Sequence, residues 1–225
     1  MSTGALAQGE QRDAGPKPIV GVLGLQGDFE AHARTLAELG AEARVVREPA
    51  DLVGLDALVI PGGESTTMTL GIEREGLAEP LRDLVRAGTP TLGTCAGLIM
   101  LDRDHLDLLD VRAERNAFGR QVASFEEELE LPLELEGAGE PVRAVFIRAP
   151  WVAEHGDEVD VLASVRGRSV AVRQGNVLAV AFHPEIVGEE RLHRWLLERA
   201  AARRERGDGA PTPEPVGGLP AGGAA

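Results

Sequence analysis

The sequence has one cysteine and fewer basic than acidic residues, and each shortage excludes a class of protein. Cys95 is the single thiol among 225 residues, so no internal disulfide can form, which fits a reducing cytoplasm. With 23 basic against 37 acidic residues the net charge is −14. Nucleic acids and anionic membranes are attracted by positive fields, so we expect neither as a partner.

Several further signals are missing. The sequence has no 18-residue apolar run, so it predicts no membrane-spanning helix. Residues 1–18 lack the basic flank and apolar core of a signal peptide. No segment has the Gly-Lys-Ser/Thr end of a phosphate-binding loop, and GVLGLQG (21–27) lacks the glycine spacing of a dinucleotide site. No Cys/His cluster has zinc-ligand spacing. We therefore expect neither a cofactor nor a metal.

The length suits one α/β domain with a real core. Residues 1–17 are polar and turn-forming, and residues 206–225 are rich in Gly, Pro and Ala, so we predict that both segments are disordered. The folded domain is then 18–205. Within it, residues 126–140 carry seven glutamates and no basic residue, which indicates a solvated face.

Strand and helix patterns alternate in the first half of this domain. The continuous apolar run 19–25 is typical of a strand buried on both faces, and 28–40 reads as a helix with Asp28 as N-cap and Gly40 as its stop. The other predicted strands are 43–47, 57–63, 90–94, 145–152, 159–165, 169–175 and 177–185, and the other helices are 77–88, 96–102 and 189–203. Alternation predicts a parallel sheet, and the later meander predicts an antiparallel extension.

The thiol lies in GTCAG (93–97), where the strand 90–94 meets the helix 96–102. This segment has the pattern of a nucleophile elbow, in which a glycine lies two residues to either side of the nucleophile. The elbow is a sharp turn that lifts a side chain above the sheet. The adjoining helix N-terminus favours a thiolate, and the N–H of Ala96 suits an oxyanion donor. A lone cysteine is also a common packing residue. Both interpretations of Cys95 stay open on this segment alone.

A thiol nucleophile needs a base, and His183 is the best placed of five histidines. It follows an apolar strand that Pro184 ends, and in an extended backbone Glu185 projects to the same side as His183. That carboxylate would fix the imidazole tautomer and stabilise its charged form. The alternative is a strand-end histidine beside an unrelated acid. The remaining histidines are interpreted as surface or packing residues, in amphipathic helices (His32, His193) or in polar, exposed stretches (His105, His155).

A third segment, PGGEST (61–66), also follows an apolar strand. Gly62 and Gly63 let the backbone approach a ligand and present N–H groups, which would supply a second oxyanion donor. The alternative is an ordinary glycine turn in which Ser65 or Thr66 caps a helix.

Together these segments resemble the class I (triad) glutamine amidotransferases. A closer resemblance, over nearly all of 19–200, is to the glutaminase subunits of pyridoxal 5′-phosphate synthase, the PdxT/SNO family. Six ordered segments carry it: GVLGLQG (21–27), PGGESTTM (61–68), GTCAGLI (93–99), ERNAFGRQ (114–121), FIRAP (146–150) and FHPE (182–185). The resemblance implies a flavodoxin-like three-layer α/β sandwich of the amidotransferase type, with a mostly parallel central sheet and an antiparallel extension.

The resemblance also implies a reaction. Cys95 attacks the side-chain amide carbon of glutamine, His183 takes the thiol proton and later protonates the leaving ammonia, and Glu185 orients His183. Water then hydrolyses the γ-glutamyl thioester. The oxyanion is held by N–H groups near Gly63 and Ala96. By the same resemblance L-glutamine is bound by Gly63, Glu64, Ser65, Arg115, Ile147 and Arg148. The two arginines have an independent rationale, because guanidinium groups pair well with carboxylates.

The implied partner is the synthase subunit (PdxS/SNZ type) of a large hetero-oligomer, which receives the ammonia. Gln26 lies in the loop that the family places near the oxyanion site and the partner, where docking is expected to flip a peptide or order the loop. Two alternatives remain open. One is a glutaminase subunit for another acceptor, as in histidine or purine biosynthesis. The other is a non-catalytic binding or regulatory protein on this fold, against which the complete set of Cys95, His183 and Glu185 argues.

Overall fold

A computed structural model describes residues 16–115, 124–132 and 140–208. Almost all of the predicted disordered ends, and residues 116–121 of ERNAFGRQ, lie outside these ranges, so the domain boundaries stay predictions. The described strands are β1 (Ile19–Leu23), β2 (Glu42–Val46), β3 (Ala57–Ile60), β4 (Thr91–Thr94), β5 (Val111–Glu114), β6 (Ser124–Leu129), β7 (Val142–Ile147), β8 (Trp151–His155), β9 (Asp160–Val165), β10 (Arg168–Gln174) and β11 (Val177–Val180). The helices are α1 (Phe29–Glu38), α2 (Ser65–Arg74), α3 (Ala78–Arg86), α4 (Ala96–Leu101) and α5 (Arg191–Glu205).

One large sheet organises the described chain. Its strands run β2-β1-β3-β4-β11-β10-β8-β5, with β9 also paired to β10. From β2 to β11 all neighbours are parallel, whereas the pairings beyond β11 are antiparallel. Every residue of β3, β4 and β11 is buried, so both faces of the sheet centre are covered. The parallel sheet and its antiparallel extension are confirmed.

Helix ends follow local chemistry only in part. Gly40, at φ +89°, follows the last residues of α1 and ends the helix as predicted, because glycine adopts this left-handed conformation at little cost. Asp28 does occupy the N-cap position of α1, but its side chain makes no capping hydrogen bond. Within the described ranges no helix is long and apolar enough to cross a membrane.

The predicted strands 19–25 and 57–63 end early, at Leu23 and Ile60, and two others differ more from the structure. The segment 145–152 is divided between β7 and β8, because Arg148 has φ +44° and Pro150 lacks an N–H for the ladder. The segment 177–185 stops being a strand at Val180, and a short 3₁₀ helix spans Pro184–Ile186. Strands β5 and β6 were not predicted from the sequence, and helix α2 entered only as the alternative interpretation of PGGEST, without bounds.

The acidic run begins on a two-stranded ribbon formed by β6 and β7. Its glutamates 126–128 are exposed, as predicted, and Glu126 pairs with Arg143 across the ribbon. Phe146 of the ribbon stacks on Phe125 and packs edge-on against Phe182. The Val145 carbonyl accepts a 2.9 Å hydrogen bond from the N–H of His183. The ribbon therefore helps to position the chain just after β11.

Candidate active site

Four neighbouring parallel strands end around one cavity of about 420 Å³. The segments that follow β1, β3, β4 and β11 supply Gln26, Gly63, Cys95 and His183, respectively. Sites of open α/β sheets form at this carboxyl edge. The cavity is lined by Gln26, Gly63, Glu64, Ser65, Cys95, Ala96, Ile99, Arg115, Ile147, Arg148, Pro150 and His183. Every predicted site residue except Glu185 lies in this lining, which adds Ile99 and Pro150, neighbours of predicted residues in the same motifs.

Cys95 occupies a strained elbow between β4 and α4. Its φ of +49° and ψ of −105° are unusual for a residue with a side chain, and such strain costs on the order of 1–3 kcal/mol. Its N–H donates a 2.8 Å hydrogen bond to the Val180 carbonyl of β11. The residue is buried but faces the cavity. The surrounding fold thus holds the thiol in a conformation that a packing residue would not need.

The glycines around Cys95 are explained by close approach. A Cβ at position 97 would lie 2.0 Å from the Ile60 carbonyl oxygen, and one at position 93 would lie 3.0 Å from the Gly97 carbonyl group. A Cβ at position 62 would lie 2.5 Å from Cε1 of His183 and 3.2 Å from Cβ of Cys95. Side chains at these positions would collide with the neighbouring strand β3, with the elbow itself or with the imidazole.

His183 connects the thiol to a carboxylate. It adjoins Cys95, since both side chains border the backbone of Gly62 at the cavity, and its Nδ1 lies 2.7 Å from Oε1 of Glu185. Burial alone would lower the pKa of His183, but the hydrogen bonds and charges of Cys95 and Glu185 raise it to about 10. The imidazole is therefore positively charged at neutral pH. The predicted route to this contact was wrong, because Glu185 reaches His183 through the 3₁₀ turn and not along an extended backbone.

Glu185 lies behind His183 with a fully buried side chain. Its Oε2 is 3.4 Å from Nε2 of His32, a histidine of α1 whose Nδ1 lies 2.9 Å from Nε2 of His193 in α5. Both histidines are completely buried, so neither is a surface residue. Sequence reasoning missed the contact between His32 and Glu185. The available signal was a polar residue on the buried face of α1, between Ala31 and Thr35.

Of the two remaining histidines, His155 is exposed as predicted. His105 is not a free surface residue, because its Nδ1 lies 2.7 Å from Oδ1 of the buried Asp102. Neither contact involves the cavity.

Glu64 caps helix α2, a role that the sequence suggested for Ser65 or Thr66. Its carboxylate accepts hydrogen bonds from the N–H groups of Thr66 (3.1 Å) and Thr67 (2.7 Å) and from the Thr67 hydroxyl (2.8 Å). The hydroxyl and backbone N–H of Thr67, followed by Thr66, lower the pKa of Glu64 to about 2. A fixed negative charge therefore stands at the cavity.

Gln26 joins the loops that follow β1 and β3. Its Oε1 accepts a hydrogen bond from the N–H of Glu64. A Cβ at position 63 would lie 2.3 Å from that same oxygen, and one at position 27 would lie 1.8 Å from the Gly62 carbonyl oxygen. The two loops therefore pack backbone against backbone, and glycine is required on both sides.

Two arginines add positive charge to the cavity. Arg148 follows β7 with φ +44°, and Arg115 follows β5, with its Nη1 3.3 Å from the Thr66 hydroxyl. With the carboxylate of Glu64, they surround the space above Cys95 with both charge signs, as an amino-acid ligand requires. In the part of the chain that the structure describes, no group of three or more His, Cys, Asp or Glu side chains could hold a metal ion.

Comparison with known proteins agrees with this geometry. The model of the SNO glutamine amidotransferase family matches residues 22–202. The pyridoxal 5′-phosphate synthase subunit PdxT of Geobacillus kaustophilus is 51% identical over 185 residues, covering 79% of this chain and 92% of the relative. PdxT of Nocardia farcinica is 46% identical over 219 residues, covering 91% and 96%.

Solved structures show the same relationship. A crystal structure of a glutamine amidotransferase superposes with a TM-score of 0.74 at 46% identity, over 81% of this chain and 98% of that one. A putative GMP synthase component from Thermoplasma acidophilum shares the fold, with a TM-score of 0.66 at 18% identity over 85% and 98%. Family model, relatives and architecture agree, and the chain belongs to the SNO glutamine amidotransferase family.

Proposed function

We propose that this chain is the glutaminase subunit of a pyridoxal 5′-phosphate synthase and hydrolyses L-glutamine to L-glutamate and ammonia. The observation that carries the proposal is the arrangement of Cys95, His183 and Glu185: the thiol and the imidazole line one cavity, and the imidazole is hydrogen-bonded to the carboxylate. The closely similar relatives are named as synthase subunits, which favours this acceptor over histidine or purine synthesis. An intact triad is unnecessary for a non-catalytic protein.

The first half of the reaction forms a thioester. The Cys95 sulfur, its proton held by His183, attacks the amide carbon of the glutamine side chain and forms a carbon–sulfur bond. The carbonyl oxygen becomes an oxyanion, which the N–H groups of Gly63 and Ala96 stabilise. The carbon–nitrogen bond then breaks as His183 gives its proton to the leaving nitrogen, so ammonia departs as a neutral molecule.

The second half releases glutamate. His183, now neutral, takes a proton from a water molecule that attacks the γ-glutamyl thioester. Collapse of this second tetrahedral intermediate breaks the carbon–sulfur bond and restores the pair of thiolate and imidazolium. Glu185 stabilises the charged imidazole in both halves through its bond to Nδ1.

Substrate recognition follows from the charges around the cavity. Arg115 and Arg148 suit the α-carboxylate of glutamine, and the ionised Glu64 suits its α-ammonium group. Gly63, Ser65 and Ile147 complete the proposed binding set. The cavity volume lies within the range typical of small-molecule sites.

The proposed partner is the PdxS/SNZ-type synthase subunit, in a large hetero-oligomer that accepts ammonia without releasing it. Gln26 connects two loops of the site through its hydrogen bond with the N–H of Glu64. Through this contact, docking of the partner is proposed to reorient the N–H groups that stabilise the oxyanion. A cytoplasmic location remains a prediction from the single cysteine.

The test is glutamate release from L-glutamine by the purified chain, alone and with a purified synthase subunit. We expect strong activation on mixing, and a loss of about 10⁴-fold in kcat for Cys95→Ala. The exposed His155→Asn is the matched control and should behave as wild type. Full activity that the synthase subunit does not change would indicate another acceptor, and an active Cys95→Ala variant would contradict the triad.

A further inference from the structure

A buried pair of histidines extends the line of polar contacts beyond Glu185. Oε1 of Glu185 faces Nδ1 of His183 at 2.7 Å, and Oε2 lies 3.4 Å from Nε2 of His32. The same Nε2 is 3.2 Å from the Thr94 hydroxyl, and Nδ1 of His32 is 2.9 Å from Nε2 of His193. The reaction described above uses neither His32 nor His193, although burying two histidines beside a carboxylate is costly.

Both histidines are neutral at pH 7. Burial, followed by the charges of His193 and His183, holds the pKa of His32 well below its usual range. Burial also lowers the pKa of His193 to about 4, against the opposing effects of the Glu189 backbone and nearby acids. Each ring therefore carries one proton, and the question is which nitrogen of His32 holds it.

The surroundings favour a proton on Nε2 of His32. Among the described residues no close hydrogen bond reaches Oε2 of Glu185, and Nε2 of His32 lies 3.4 Å from that oxygen. With the opposite tautomer, the lone pair of His32 Nε2 would face the buried carboxylate oxygen of Glu185. The favoured tautomer instead leaves one neutral ring nitrogen of His193 without a donor, which costs less. The Glu189 backbone near His193 favours that opposite tautomer, but bonds to ionised acceptors are about twice as strong as neutral ones.

We propose that His32 is a positioning residue for the triad: its Nε2–H donates to Oε2 of Glu185 and so keeps Oε1 directed at His183. A carboxylate held at one oxygen can turn about its last bond, whereas one held at both oxygens has a fixed plane. His193 in turn donates to Nδ1 of His32 and selects its tautomer. This inference rests on the proposed glutaminase function.

Two substitutions of His32 separate positioning from packing. In His32→Gln the side-chain amide nitrogen reaches near the position of Nε2, so a donor to Glu185 is retained. In His32→Asn the amide lies near Nδ1, so the contact with His193 is retained and the donor to Glu185 is lost. Both variants remove the ring, and both are assayed for glutamate release in complex with the purified synthase subunit, with His155→Asn as the surface control.

We expect kcat to fall about 10- to 100-fold in His32→Asn and to stay within about threefold of wild type in His32→Gln. The KM for glutamine should change less than about twofold in both. The alkaline limb of kcat should move to lower pH in His32→Asn, because a turned carboxylate no longer holds the proton on His183. Melting temperatures report the packing cost, which should be similar for the two variants.

Equal kcat values for the two variants would overturn the inference, whether both are lowered or both are unchanged. A loss that follows the melting temperature would also overturn it, since that is the result of a packing role. The wild-type complex in the same assay tests the glutaminase function separately. If it released no glutamate, the proposed function and this inference would fall together.

Discussion

Position 62 shows how a missing side chain makes room for catalysis. The backbone of Gly62 passes so close to the site that an added Cβ would lie 2.5 Å from the imidazole of His183. Its φ is not in the left-handed region, so alanine meets no backbone penalty there. The glycine is required by its neighbours, not by its own conformation.

We therefore predict that Gly62→Ala lowers kcat about 100-fold, because the imidazole must move away from Cys95. The collision should also lower stability by about 1–3 kcal/mol, which thermal unfolding measures beside the glutaminase assay. Gly54→Ala is the matched control. Gly54 has φ +75° and open space around it, so alanine there should cost about 1 kcal/mol of stability and leave kcat unchanged. Full activity of Gly62→Ala would show that His183 has room to adjust.

Individual residues were predictable where a local pattern fixes the backbone. The elbow at Cys95 follows from flanking glycines and a strand–helix junction, and the pairing of His183 with Glu185 follows from their nearness in sequence. The cap of α2 was not predictable from preference alone. Ser65 and Thr66 are better N-cap residues than Glu64, but the longer carboxylate reaches two N–H groups and a hydroxyl at once.

Helices α1 and α5 are joined by an interaction that is unusual inside a protein. His32 and His193 face each other with ring centroids 5.1 Å apart, fully buried. When a buried neutral imidazole must accept a proton, the folded protein loses stability relative to the unfolded chain. The contact between these two elements therefore makes the whole fold sensitive to acid.

We predict that the free energy of unfolding falls as pH falls from about 6.5 to about 4. In that window unfolded His193 binds a proton that the folded residue, with a pKa of about 4, does not bind, which amounts to roughly 3 kcal/mol. His32 adds to the same trend. His183 acts in a separate window, because its raised pKa gives stability that is lost as pH rises from about 6.5 through about 10.

Urea unfolding of wild type and His193→Gln across pH 4–7 measures this effect. The variant should show the shallower pH dependence, and His155→Gln, at an exposed position, should match wild type. Parallel curves for wild type and His193→Gln would show that His193 does not carry the acid sensitivity.

At the scale of the molecule, the sheet topology brings distant loops to one edge. Parallel neighbours β1, β3, β4 and β11 all end at that edge, so the segments that follow them surround one cavity. Residues 16–208 contain every described helix and strand. They also keep the hydrogen bond that Arg204 donates to the Pro16 carbonyl near the two ends of the domain. The Gly/Pro/Ala composition beyond position 208 predicts no contribution to the fold.

We predict that a chain of residues 16–208 has the melting temperature and partner-stimulated glutaminase activity of the full chain. Calorimetry and the glutamate assay check this, with each end removed separately as well. A chain ending at 199 is the matched contrast, because it removes the buried Ala200 and Arg203 of α5 and should melt lower. A fall of more than about 4 °C for 16–208 would contradict the boundaries, since that exceeds the effect of about 1 kcal/mol in a domain of this size.

The sequence by itself determined the features that depend on near neighbours. Apolar runs and glycine stops specified most strands and helices of the parallel sheet, and three short motifs placed Cys95, His183 and Gly63 at the ends of strands. These predictions succeeded because backbone conformation and periodicity are set over a few residues. They failed where tertiary contacts override local preference, as in the break between β7 and β8.

The tertiary structure alone decided which distant side chains meet. The sequence around His32 places a polar residue on the apolar face of α1 but does not identify Glu185 as its partner, and nothing near Arg115 indicates a hydrogen bond to Thr66. Such contacts depend on how whole helices and strands pack around the sheet, and that packing is set by all the core residues together. The physical reason is that a local pattern determines the backbone conformation and the face on which a side chain lies. Its partner across the core is determined only when the helices pack against the sheet.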